Sequence, residues 1–164
     1  MKYQEKIHIR KSIRLMDFVY SSPGAYFVTI CTLDKKCWFG KVSNSEMILN
    51  SYGKIVEKIW GELKSHFLTV DLDEKGLINQ TPTQNPNHWI QMKNPKINLG
   101  KIIRHFNAKT TKLLRDSGLN NISWQRLYYD HIIRNNRSLD NIRYYIINNP
   151  LKWKIDKENS KNWK

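Results

Sequence analysis

Tyr145 and Asn149 stand four residues apart in the run RYYIINNP, residues 143 to 150. That spacing puts two side chains on one helix face, about a turn from each other. A phenol so placed can attack phosphorus when a metal or base assists it and a cation steadies the developing charge. The amide oxygen one turn on can help hold such a metal. The same spacing is also that of a tyrosine packed at a helix end beside a polar, helix-terminating Asn. It carries chemistry only if other elements bring the rest of a site to it.

The elements that would do so can be read along the chain. Ser138 can cap a helix bearing Tyr145, with Asp140 in its first turn, Leu139, Ile142 and Ile146 as its apolar stripe and Pro150 as its stop. Before it, ISWQRLYYDHIIRN (122 to 135) follows a Gly-Leu-Asn-Asn turn and is rich in aromatic and β-branched residues, which predicts a strand. A middle helix starts near Ile97. Leu99, Ile103, Phe106, Thr110 and Leu113 form its core stripe, Lys101, Arg104, Lys112 and Arg115 a basic one, and Gly118 its end. Upstream, GAYFVTICT (24 to 32) reads as a buried strand after a Ser-Pro-Gly turn, and LDKKCWFGKV as a turn and second short strand. Ile48, Tyr52, Ile55, Ile59 and Leu63 then mark an amphipathic helix. FLTVDLDE predicts a short strand, whereas the following polar stretch, with Pro82, Pro86 and Pro95, predicts no regular element. The pattern is α+β, one helix-covered sheet in one domain over residues 1 to 155, followed by a basic tail at 156 to 164.

Charge bounds the partner. Lys and Arg number 28 against 14 Asp and Glu, a formal charge of +14 with a pI near 9.8, the balance of proteins that meet phosphate backbones. The cations are spread along the chain rather than gathered on one amphipathic helix or terminal block, which favours nucleic acid over a membrane surface. Candidate phosphate contacts are Lys101, Arg104, Lys109 and Lys112 on the middle helix, Arg126 and Arg134 around the later strand, and Arg10, Lys11 and Arg14 near the start. Trp124, Tyr128 and Tyr129 are candidates for stacking on unpaired bases. No apolar run nears the roughly 20 residues of a membrane span, and the N-terminal segment lacks a secretory apolar stretch. Cys31 and Cys37 lack the companions of a zinc site or disulfide framework, so reduced thiols in a cytoplasm are expected.

Three stretches carry a family likeness: RKSIRLMDFVYSSPGAYFVTICTLDKKCWFG, LGKIIRHFNAKTTKLL and WQRLYYDHIIRNNRSLDNIRYYIINNPLKW. In that order they resemble the REP-associated tyrosine transposases and related insertion-sequence transposases of the single-tyrosine HUH type. The resemblance implies a ferredoxin-like antiparallel sheet covered by helices and binding of single-stranded or hairpin DNA. It also implies strand cleavage and rejoining through a covalent phosphotyrosine with a divalent metal, Mg²⁺ or Mn²⁺. Tyr145 matches the family's nucleophile and Asn149 its helix-borne metal ligand.

The family's other two ligands form a His-x-His pair on a central strand, in a segment similar to MPNHVH that closely follows a strand resembling VDLDE. Here VDLDE (70 to 74) leads directly into the polar stretch. Either the central strand or hairpin, roughly 12 to 20 residues by ordinary strand lengths, is missing, or Pro86-Asn87-His88-Trp89-Ile90 is that strand with isoleucine where the second histidine belongs. The missing strand is the favoured expectation. Either way the metal site is damaged, because a hard cation keeps few protein ligands and loses one at a cost in affinity and geometry. His8, His66, His105 and His131 offer no pair at the spacing of two or four residues that would replace it. The expected function is therefore that of a DNA-binding protein of the transposase family. Its open variants are an active metal-dependent enzyme, an inactive hairpin-binding remnant, and a basic RNA-binding protein on the same scaffold.

Overall fold

A computed structural model of the chain describes residues 24–33, 36–67, 70–72, 89–92 and 98–155. Arg10, Lys11, Arg14, His88 and the tail from 156 lie outside these residues. The elements in chain order are β1 (Gly24–Thr29), β2 (Gly40–Ser43), β3 (Glu46–Leu49), α1 (Ser51–His66), β4 (Val70–Leu72), β5 (Trp89–Met92), α2 (Leu99–Asp116), β6 (Tyr129–Ile133) and α3 (Asn136–Lys152). A 3-10 turn at Trp153–Ile155 follows α3.

Four strands form one antiparallel sheet in the order β4-β5-β1-β6, and β2 and β3 form a separate hairpin. The central strand expected to be missing is therefore present. β5 lies between β4 and β1, with Ile90 opposite both Leu72 and Tyr26. Prolines excluded regular structure from this region in the sequence reading, but Trp89–Met92 is a proline-free run between Pro86 and Pro95. Four residues suffice for a strand when partners wait on both sides.

α1 connects β3 to β4, and α2 connects β5 to β6. Both helices pack on one face of the sheet. The core joins Tyr26, Ile30 and Ile90 of the strand layer to Val56, Ile59 and Leu63 of α1 and Ile102, Phe106 and Leu114 of α2. Side chains alternate across a strand, so Phe27, next to Tyr26, serves the other face. There its ring meets Tyr145 of α3 edge-on, centroids 6.3 Å apart.

Each helix is started by an asparagine. Asn50, Asn98 and Asn135 accept hydrogen bonds from the backbone N–H groups of Gly53, Lys101 and Ser138 at 2.9, 2.9 and 2.8 Å. This relieves orphan donors of the first turn. Ser138 is thus the third residue of α3, not its cap, and no acid stands in the first turn. Pro150 does not stop α3. Its missing N–H costs one bond near the end, and the helix runs on to Lys152 before Trp153 N–H closes onto the Pro150 carbonyl. α2 ends as expected at Gly118, φ +97°, with Leu119 N–H bonded to the Leu114 carbonyl at 2.9 Å.

Two boundaries differ from the periodicity. Ile48 and Leu49 belong to β3, not α1, because Asn44 and Ser45 adopt positive φ (51° and 62°) and turn the chain back in a two-residue hairpin. The strand expected over 122–135 is regular only at Tyr129–Ile133, preceded by an isolated bridge between Thr32 and Trp124.

Candidate nucleic-acid interface

α2 presents its core stripe to the sheet and its other side to a groove of about 870 Å³. Lys101, Arg104, Lys112 and Arg115 reach it from the helix, at steps of three to eight residues that keep them on one face. Arg126 closes it from the segment before β6, and Asp116 is the one acid in its lining among the described residues. Four of the cations anticipated as phosphate contacts are gathered here: Lys101, Arg104, Lys112 and Arg126. Arg115, expected on the same basic stripe, joins them.

Two anticipated cations do not. Lys109 turns away to α1, where its ammonium meets the Glu62 carboxylate at 2.6 Å. That hydrogen bond, with the nearby positive charge of Lys109 and Lys58, holds the Glu62 carboxyl below its ordinary range. Arg134 follows β6 and is exposed, outside the groove lining.

The floor of the groove is aromatic. Trp124 donates its indole N–H to Thr111 Oγ1 at 2.8 Å and stacks on Phe39, centroids 5.9 Å apart. It is therefore held in place by the fold, with part of its surface left to the groove. Tyr128 is half-buried beside it. Tyr129, grouped with them in the sequence reading, lies on the first residue of β6 opposite Thr29 and belongs to the α3 side of the sheet. Asn107 adds a signal that sequence alone did not give: it lines the groove, and its side-chain oxygen is buried without a hydrogen-bond partner among the described residues. Such an acceptor favours a ligand that brings a donor.

The chemistry anticipated around Tyr145 is only partly assembled. Tyr145 is 57% exposed on α3, and Asn149 is half-buried one turn on. Ile90, which holds the place of the second histidine if Pro86–Ile90 is the metal strand, is wholly buried in the α1–α2 core. Its face of the sheet is opposite to that of Phe27 and Tyr145, so a ligand at position 90 would point away from the tyrosine. Among the described residues, no group of three His, Cys, Asp or Glu is arranged to hold a metal ion.

The structure places one histidine near Tyr145 that the spacing argument missed. His131 of β6 pairs with Phe27 across the sheet and borders the same hollow as Tyr145. Its Nε2 lies 3.1 Å from Ser138 Oγ. His66 and His105 also meet, 39 positions apart in sequence, with rings stacked at 4.0 Å. Burial, together with His66 and Lys109, holds the His105 imidazole below its ordinary pKa.

Fold and groove define an α+β protein with a basic, aromatic-floored channel along one helix, and among the described residues no helix is long and apolar enough to cross a membrane. No protein-family profile matches the chain. It is 36% identical over 173 residues to an uncharacterized protein of Haemophilus influenzae, a match covering 94% of this chain and 96% of that protein, and it belongs to the same family as that protein. No solved structure matches.

Proposed function

We propose that this protein binds hairpin or single-stranded DNA through the α2 groove, as a member by descent of the REP-associated tyrosine transposases that has lost metal-dependent strand cleavage. The observation that carries the binding is the gathering of Lys101, Arg104, Lys112, Arg115 and Arg126 over the Trp124 and Tyr128 rings. Cations at this density suit a phosphate backbone, and aromatic faces beside them suit unpaired bases.

Descent draws support from the strand order. The strand-helix-strand-strand-helix-strand path, with β4-β5-β1-β6 adjacent and antiparallel and the β2–β3 hairpin inserted ahead of α1, is consistent with the ferredoxin-like sheet that the resemblance implies. Loss of cleavage draws support from Ile90: it supplies no ligand, and its place in the core leaves no room for one. The aligned span of 173 positions also exceeds the 164 residues of this chain, so the relative carries residues that have no counterpart here.

The test is a mobility-shift titration of end-labelled hairpin DNA with the purified protein, in EDTA and in Mg²⁺ or Mn²⁺, run also under denaturing conditions. The expected result is equal, salt-sensitive binding in all three and no denaturation-resistant adduct. A metal-dependent adduct would restore strand cleavage to the protein. Tighter binding of the same sequence as RNA would assign the groove to 2′-hydroxyl recognition instead.

A further inference from the structure

Away from the groove, α1 and α2 meet along a ladder of polar side chains. Glu62 of α1 pairs with Lys109 of α2, and one turn further along α1, one turn back along α2, His66 stacks on His105. The two helices therefore run antiparallel here. The imidazole planes lie 14° from parallel with centroids 4.0 Å apart, and the Phe67 ring stands edge-on to both, 4.7 Å from His66 and 5.3 Å from His105. His66 is the last residue of α1, and its successor Phe67 closes the helix through an N–H bonded to the Leu63 carbonyl at 2.8 Å. β4 begins four residues after His66, as a three-residue strand at the edge of the sheet.

We propose that the stacked imidazoles form a proton-operated latch, which holds the end of α1 against α2 while at most one ring is charged and releases the α1–β4 corner when both are. Neutral rings stack, and one charged ring on a neutral one is a cation on an aromatic face. Two charged rings at this separation repel each other. The surrounding charges do not offset that repulsion. Lys109 acts on His105 from the next turn of α2, Glu62 on α1 is tied to Lys109 with Lys58 beside it, and Lys101, one turn from His105 on the other side, lines the groove. Burial, with His66 and Lys109, holds the His105 pKa below 6.5 while the latch is closed. The open form takes up the proton first, so opening gains population as the pH falls below 6.5. Such an opening is local, because α2 keeps its core stripe on the sheet and the groove with it. Nothing in the latch depends on what the groove binds.

The experiment is amide hydrogen exchange of the full chain at about pH 7.5 and about pH 5.5, with each rate referred to that of an unstructured peptide at the same pH. Protection of the last turn of α1 is expected to fall about tenfold or more at the lower pH, the change that one proton gives a unit below 6.5, while protection along α2 holds. His105→Phe keeps a ring in the stack and cannot charge, and His66→Gln changes an exposed residue and leaves a single imidazole. In both variants the protection of α1 should be the same at the two pH values. Unchanged protection in the unaltered protein, an equal loss in the protein and both variants, or a loss that runs through α2 to the same extent overturns the latch. If His105→Phe does not fold, His66→Gln decides alone.

Discussion

Two residues separate the roles of charge and of position. Arg104 and Lys109 lie on the same helix and have the same formal charge, yet Arg104 faces the groove and Lys109 is paired with Glu62. Arg104→Ala is expected to weaken hairpin binding several-fold and to lower the salt slope by about one, whereas Lys109→Ala should leave both nearly unchanged. Titrations at several salt concentrations check this. Ile90 gives the sharper case. Ile90→His, which supplies the second histidine of one reading of the resemblance, should not create a metal site, because position 90 faces the core. It should instead destabilise the fold by about 2 to 4 kcal/mol, from lost apolar burial and an imidazole left without partners. Thermal unfolding with and without Mn²⁺ decides it: a stabilising effect of the metal on the variant would overturn the assignment of faces. Most of the groove cations were legible from helical spacing. His131 and Asn107 were not, since their importance comes from strand pairing and from buried geometry that no sequence interval records.

At the scale of elements, the sequence reported apolar periodicity well and junctions poorly. The stripes of α1 and α2 were plain because 3.6-residue spacing repeats over four turns or more. β3 was hidden because its turn uses Asn44 and Ser45 rather than a glycine, and β5 was only the less favoured reading because four residues carry too little pattern to compete with neighbouring prolines. Packing then imposes demands of its own. Gly53 of α1 lies so close to the Phe39 carbonyl that an added Cβ would collide with it. Gly53→Ala, favourable by helix propensity, should therefore destabilise by about 1 to 3 kcal/mol, read from chemical denaturation. Between α1 and α2, His105 stacks on His66 with its pKa held below the ordinary value of 6.5. The unfolded chain takes up that proton first, so the stability it contributes is present above pH 6.5 and falls away as the pH drops below it. His105→Gln should flatten the stability profile between pH 7 and 5, measured by urea midpoints.

For the whole molecule, the question is whether a charge of +14 acts as a diffuse field or through one surface. A diffuse field would attract any polyanion, with a salt slope that no single substitution moves. The groove makes a more specific claim, because its lining contains five cations. With a contribution of about 0.9 per neutralised phosphate on a duplex stem, the logarithm of affinity should fall with a slope of roughly −4 to −5 against the logarithm of salt. Between 50 and 200 mM that is a loss of several hundredfold. Neutralising Arg104 and Lys112 together should bring the slope near −3. A slope steeper than about −8 that ignores both changes would mean that the cations outside the groove carry the binding. The sheet bears on the outcome as well. Because α1 and α2 cover one face and α3 the other, groove and hollow stand on opposite sides of a single layer of strands, and β6 is the edge they share. DNA held only in the groove would respond to salt alone. DNA that also reached Arg137 and His131 in the hollow would steepen that response, since each further neutralised phosphate releases counterions.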